Sequence, residues 1–115
     1  MIPTSDKLSD YLQYFLTCYL PQHRDVSPHT LASYKQAFLQ LLRYCKLRFP
    51  DQRDPELACF QVAFLLDFLS YLEKTLGNAA STRNARLAAM KAFFRMVGLV
   101  QPRYQDQCRG SLLSP

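Results

Sequence analysis

The sequence predicts an all-α fold in which four helices pack around a hydrophobic core. Apolar residues recur every three or four positions in four segments of the chain, and no segment shows the alternation typical of a β-strand. The 115 residues include three glycines and are 49% hydrophobic, so one domain of this length can bury a core without disulfides or a structural metal.

The first two helices are marked by apolar spacing and by proline. The first helix is expected to start near Ser5 and to end before Pro21, because proline interrupts a helix. The second is expected to begin with Ser27 as N-cap and Pro28 at the first helical position, and to run to about Lys46. Its predicted core face holds Leu31, Tyr34, Phe38, Leu41, Leu42 and Cys45, and its opposite face holds His29, Ser33, Gln36, Gln40 and Arg43.

The third helix, expected from about 60 to 76 after a loop at 49–56, is apolar almost all round. One face is predicted to hold Val62, Leu65, Leu66, Leu69, Leu72 and Leu76, widened by Phe64, Phe68 and Tyr71. Such a helix is typical of the centre of a bundle, although an exposed aromatic edge could instead meet a protein partner.

The fourth helix is expected to begin with Ser81 as N-cap, after a helix stop at Gly77, and to run to about Val97. Its core face is predicted to hold Leu87, Met90, Phe93, Phe94 and Val97, and its far side to be a smooth face of Ser81, Ala85, Ala88, Ala89 and Ala92. Beyond it the pattern decays, so we expect one helical domain over 1–98 and a linker over 99–115.

Basic residues are concentrated where acidic residues are missing. The chain has a formal charge of +5, and no Asp or Glu occurs from Val26 to Pro50 or from Lys74 to Gln105. Between those bounds lie Lys35, Arg43, Lys46, Arg48, Arg83, Arg86, Lys91, Arg95 and Arg103. If the second and fourth helices share one side of the fold, that side is strongly positive and suits a polyanion.

Other classes of function lack the residues they need. The cysteines at 18, 45, 59 and 108 have no CxxC spacing, and with His23 and His29 they do not compose a zinc site, so Cys45 and Cys18 are interpreted as apolar fillers in a reducing compartment. There is no glycine-rich phosphate loop and no Ser, His and Asp arrangement, hence no expected cofactor or enzyme activity. No apolar run spans a bilayer and no signal peptide is apparent, so a cytoplasmic protein is expected.

Two stretches form a recognisable pair: VSPHTLASY at 26–34 and STRNARLAAMKAFFR at 81–95. In this order and at this separation they resemble the N-terminal core-binding domain of tyrosine recombinases, in the variety found in integrases of bacterial mobile elements. The resemblance covers about residues 5–98. It implies a SAM-like, orthogonal four-helix bundle that clamps one face of a recombination site in the nucleoid, with the tail leading to a separate C-terminal catalytic domain.

The resemblance implies that the second and fourth helices, which are the acid-free ones, cross the major groove of duplex DNA. The DNA-binding residues expected on them are Thr30, Ser33, Lys35, Gln36, Gln40, Arg43, Ser81, Thr82, Arg83, Ala85, Arg86, Lys91 and Arg95. Cations would clamp phosphates, hydroxyl and amide groups would reach bases or phosphates, and alanines would let the backbone approach. Arg83 and Arg86 lie nearest the core flank, so one of them could instead pack its stem and pair with an acid.

The catalytic residues of the family match nothing in this chain. Its two arginines, lysine, histidine-containing motif and tyrosine nucleophile belong to the C-terminal domain, so we expect a fragment that binds DNA without cleaving or joining it. The expected partners are double-stranded DNA, that catalytic domain and other recombinase protomers, with no metal and no membrane. The alternative is a helical interaction domain that docks a protein through the aromatic third helix, its basic residues serving solubility.

Overall fold

The computed structural model describes residues 2–23 and 26–105 and confirms the all-α class. These residues form four long helical segments, and their only β-type pairing is an isolated bridge between Lys7 and Glu56. The chain divides into two compact units, Met1–Ala58 and Cys59–Pro115. No helix in the described ranges has both the length and the apolarity needed to cross a bilayer.

The first helical segment consists of α1 (Leu8–Tyr14), a π-helical turn (Phe15–Tyr19) and α2 (Leu20–His23). It passes through Pro21, so the expected end before that proline is wrong. A π-helical turn widens the backbone just before the proline, which relieves the clash of its ring with a preceding carbonyl. The segment also starts later than expected, because Ser5 lies ahead of it and its hydroxyl donates to Asp10 Oδ2 at 2.6 Å.

The second segment is α3 (Pro28–Arg48), and its predicted start is confirmed. Ser27 is the N-cap, its Oγ accepting a 3.1 Å hydrogen bond from the Thr30 amide, and Pro28 occupies the first turn. The helix ends two residues later than expected, at Arg48, whose Nη1 donates to the Tyr44 hydroxyl at 2.7 Å. Its buried residues are Ala37, Phe38, Leu41, Tyr44 and Cys45, whereas Leu31, Tyr34 and Leu42 are half-buried.

Phe15 is central to the core of the first unit. Its ring is fully buried, and its centroid lies 6.0 Å from that of Tyr19, 6.1 Å from that of Tyr34 and 5.9 Å from that of Phe38. Because Tyr34 and Phe38 belong to α3, this aromatic cluster joins the first helical segment to α3.

The third segment is α4 (Val62–Lys74), preceded by a 3₁₀ turn at Leu57–Cys59 within the predicted loop. Its buried residues are Phe64, Leu65, Phe68, Leu69 and Leu72. Leu66 and Leu76 are exposed, so their expected place on the core face is wrong. At about 3.6 residues per turn, Leu66 falls outside the arc that the two phenylalanines share with Leu69. Because Phe64 and Phe68 are buried, they form no exposed aromatic edge on α4.

The fourth segment is α5 (Ala80–Val100), and Gly77 stops the helix before it as expected. Gly77 has φ +68, and after it the Asn78 amide donates to the Leu72 carbonyl at 2.9 Å. The N-cap is Ala79, not Ser81, because the turn at Gly77 returns the chain to helical conformation two residues earlier than expected.

The far side of α5 is less smooth than expected. Ala85 and Ala88 are exposed, but Ala89 and Ala92 are buried, so their expected exposure is wrong. The second half of the helix is buried almost all round, at Ala89, Met90, Ala92, Phe93, Phe94, Met96, Val97 and Gly98. Small alanine side chains let other residues pack closely against a helix, and here Ala89 and Ala92 are buried in the core. The helix runs past Gly98 and is followed by a 3₁₀ turn at Pro102–Tyr104, and residues 106–115 of the predicted linker lie outside the described residues.

Ser27 and Ala79 provide a reciprocal test of capping, because both residues precede a helix with nearly the same backbone. Their φ and ψ are −69 and 157 at Ser27, and −66 and 158 at Ala79. Ser27→Ala should lower the free energy of unfolding by about 1 kcal/mol, and Ala79→Ser should raise it by about 0.5–1 kcal/mol, as measured by urea unfolding. Ser81→Ala is the control and should be nearly neutral; a loss there as large as that of Ser27→Ala would contradict this start of α5.

Gly77→Ala should lower the free energy of unfolding by about 1–2 kcal/mol, because an L side chain is strained at positive φ. A Cβ added at Gly77 meets no atom within 4 Å, so the cost comes from the backbone alone. Gly77→Asn should cost less, because asparagine tolerates this conformation. Equal losses for both variants in thermal unfolding would point to a steric cause instead.

Candidate nucleic-acid interface

One side of α3 is exposed along most of its length. At about 3.6 residues per turn the exposed residues of this arc are Ala32, Lys35, Gln36, Leu39, Arg43 and Lys46, which we term the α3 stripe. It lies opposite the buried residues that pack toward Phe15. The stripe holds three cations, and α3 contains no Asp or Glu that could offset them.

The predicted contacts of α3 fall into two groups. Lys35, Gln36 and Arg43 are exposed members of the α3 stripe, whereas Ser33 and Gln40 are half-buried at its border. Thr30 is committed to the helix start, because its amide donates to Ser27 Oγ and its Oγ1 accepts from the same hydroxyl at 3.0 Å. The structure therefore brings three of the six predicted residues together on one exposed arc.

Three members of the α3 stripe, Ala32, Leu39 and Lys46, were not among the predicted contacts. Lys46 follows Arg43 by three residues, but it was expected at the very end of the helix, which in fact continues to Arg48. Leu39 lies four residues from both Lys35 and Arg43, a spacing that could have placed it on the same arc. Its apolar side chain had suggested no role at a charged surface.

A second exposed row follows α5. Its members are Ser81, Asn84, Ala85, Ala88, Lys91, Arg95 and Leu99, all exposed, and we term it the α5 stripe. Lys91 and Arg95 are one turn apart, so both cations can reach the same stretch of a polyanion. Like α3, α5 contains no acidic residue.

Arg83 does not belong to the α5 stripe. Its Nε lies 3.1 Å from Glu73 Oε1, with side chains 30% and 45% exposed respectively. The buried Nε makes no hydrogen bond within the described residues, so this contact is ionic. Of Arg83 and Arg86, one was expected to pair with an acid, and this is confirmed for Arg83. Arg86 is half-buried and lies about 180° around the helix from Arg95.

The start of α5 offers unpaired backbone donors. Ala79 provides no capping side chain, and the first bond of the helix runs from the Arg83 amide to the Ala79 carbonyl at 3.0 Å. The amides of Ala80, Ser81 and Thr82 consequently have no hydrogen-bond partner among the described residues. Together with the helix dipole they place partial positive charge at this end, where the side chain of Ser81 is exposed and that of Thr82 is half-buried.

Among the described residues, no group of three or more His, Cys, Asp or Glu side chains is placed to hold a metal ion. Cys45 is buried in α3, in agreement with its interpretation as an apolar filler, and Cys18 and Cys59 are half-buried. The chemistry available on the stripes is therefore that of cations, amides, hydroxyls and small apolar groups.

Comparison with known proteins relates the chain to a family. The model of the family described as "Phage integrase, N-terminal SAM-like domain" matches residues 12–97, which include the whole α3 stripe and all of the α5 stripe except Leu99. No solved structure matches the chain.

Two curated relatives come from Sinorhizobium fredii (strain NBRC 101917 / NGR234). The chain is 32% identical over 111 residues to "Putative integrase/recombinase y4rC", and the alignment covers 94% of this chain and 33% of that protein. It is 32% identical over 98 residues to "Putative integrase/recombinase y4rD", with 83% and 34% covered. The chain thus spans about a third of the length of these relatives. With the family match over most of an all-α chain, these similarities show that the chain belongs to the phage integrase N-terminal SAM-like domain family.

Proposed function

We propose that this chain is the DNA-binding module of a site-specific tyrosine recombinase, and that it clamps duplex DNA with two helices, each through its own stripe. The observation that carries the proposal is that α3 and α5 each present exposed cations along one arc while neither contains an acidic residue. Such surfaces attract the phosphate backbone.

On α3, Lys35, Arg43 and Lys46 are suited to phosphates, because they are exposed and lie along the length of the helix. Gln36 lies among them and can offer both a donor and an acceptor to a base edge. Ser33 and Gln40, at the border of the stripe, are placed to meet the sugar-phosphate backbone. The helix therefore combines positioning contacts with at least one group capable of reading sequence.

On α5, the unpaired amides at the start of the helix and the hydroxyl of Ser81 suit a phosphate oxygen. Lys91 and Arg95 supply two further phosphate contacts along the same stripe, and the small side chains of Ala85 and Ala88 allow close approach of the backbone. Arg83 does not contact DNA in this proposal. By pairing with Glu73 it offsets the negative charge of that carboxylate and ties α5 to α4.

The remainder of the recombinase would supply the chemistry. Because the chain spans about a third of its curated relatives, a catalytic domain has room in the other two thirds of such proteins. We propose that this domain, and further protomers on the same DNA, are the partners of the module. Docking of a protein through α4 is less well supported, since its phenylalanines, Phe64 and Phe68, are buried.

The affinity for duplex DNA should depend steeply on salt. Five proposed phosphate cations, Lys35, Arg43, Lys46, Lys91 and Arg95, predict a slope of log affinity against log salt of about −4.5. Changing Arg43, Lys91 and Arg95 together to Glu should abolish measurable binding at moderate salt while circular dichroism shows the helices intact. Fluorescence anisotropy with a labelled duplex measures both effects. Equal binding by the wild type and the triple variant at low salt would overturn the proposal.

Substitutions at Lys91 and Lys74 can distinguish binding through a defined surface from attraction by the net charge of the chain. Both are exposed lysines of the second unit, but Lys91 lies in the α5 stripe and Lys74 ends α4. Lys91→Glu should weaken duplex binding at least tenfold and lower the salt slope by about 1, whereas Lys74→Glu should change affinity much less. If both substitutions weaken binding equally, the net charge of the chain would explain the binding without a defined stripe.

A further inference from the structure

Leu39 is the apolar member at the middle of the α3 stripe. Its side chain is 48% exposed, with Lys35 and Gln36 one turn before it and Arg43 one turn after it. A single exposed leucine is ordinary on a protein surface. Here, however, it occupies the centre of a row whose cations are proposed to bind phosphates, so its chemistry bears on what that row reads.

The Leu39 side chain lies beside other apolar residues of the first unit. It borders a groove of about 410 Å³ lined also by Leu12, Leu16 and Leu42, and a second groove of about 350 Å³ lined also by Leu42 and Pro55. Its exposed half therefore presents an apolar surface at the middle of the α3 stripe.

The position of Leu39 between the cations determines what it can meet. If Lys35, Arg43 and Lys46 bind phosphates that border the major groove, the residue between them faces base edges. Leucine can neither donate nor accept a hydrogen bond, and the apolar group that bases present in the major groove is the C5 methyl of thymine. Contact with that methyl would bury apolar surface on both partners.

Gln36 adds a complementary contact one helical turn away. Its side chain is exposed, and an amide of this kind can bond in bidentate fashion to N6 and N7 of adenine. The Cβ atoms of residues three apart on a helix are about 5–6 Å apart. Neighbouring base pairs are about 3.4 Å apart along the DNA axis, a difference that two flexible side chains can bridge. The two residues can thus address adjacent base pairs.

We propose that the α3 stripe reads two neighbouring A·T base pairs, with Leu39 on a thymine methyl and Gln36 on an adenine. This inference rests on the proposed function and makes it specific. It assigns Leu39 as a specificity-determining residue, and it predicts an A·T step within the recognition sequence of the module.

The test uses the 115-residue chain and duplexes selected by it from a randomised pool. In a selected duplex each thymine is replaced in turn by uracil, which keeps base pairing but lacks the C5 methyl. One replacement should weaken wild-type binding about fourfold, the effect expected for a methyl-sized apolar contact. Leu39→Ala should remove the sensitivity at that position and at no other. Replacing the neighbouring adenine by 7-deazaadenine should weaken binding by the wild type but not by Gln36→Ala.

Two controls separate recognition from stability. Leu66→Ala removes a leucine of matched exposure, 50%, from α4 and should leave the uracil profile unchanged. Leu39→Met keeps an apolar side chain and should keep the sensitivity, while thermal unfolding verifies that each variant is folded. Salt-dependent binding without sensitivity to uracil, or with the same sensitivity in Leu39→Ala, would overturn the inference and leave the proposed function standing. Failure to bind any duplex at low salt would overturn both.

Discussion

The rotation of each helix about its own axis decides which surface this chain can offer to a partner. In the first unit that rotation is set by Phe15, whose buried ring contacts Tyr34 and Phe38 of α3. A helix held on this side by aromatic packing must present its opposite arc to solvent, and that arc is the α3 stripe. In α5 the buried residues from Ala89 to Gly98 have the same consequence, because they leave Lys91 and Arg95 on the remaining exposed arc.

The distribution of charge follows from the same arrangement. Acidic residues are excluded from both helices, and Glu73, which lies near the start of α5, is paired with Arg83. An alanine at the N-cap of α5 costs about 1 kcal/mol relative to a capping side chain, as the contrast with Ser27 illustrates. Because Ala79 has no capping side chain, backbone donors at the start of α5 remain unpaired. In the proposed function a DNA phosphate would accept from them, so a local defect in stability would serve binding.

A module of this kind does not need high affinity by itself. The chain spans about a third of its curated relatives. In the proposed function its stripes would act together with the DNA contacts of a catalytic domain. When two binding elements are linked, the second contact becomes intramolecular and the combined affinity greatly exceeds either alone. Contacts through a few exposed cations, which salt weakens readily, would then suffice. Specificity would come from the uncharged members of the stripes, because phosphate contacts carry no sequence information.

The sequence by itself determined the all-α class, the four helical segments, the N-cap at Ser27 and the stop at Gly77, because these signals act within one or two helical turns. It also determined which helices lack acids. Only the structure decided the continuation through Pro21, the burial of Ala89 and the exposure of Leu66, because each depends on backbone geometry or packing that the apolar pattern does not specify. Periodicity locates a buried face but not its width. An alanine fits equally well against solvent or against packed atoms, so only the packing could show that Ala88 is exposed and Ala89 buried. Likewise, only the structure could show that Lys91 is exposed while Arg83 pairs with Glu73.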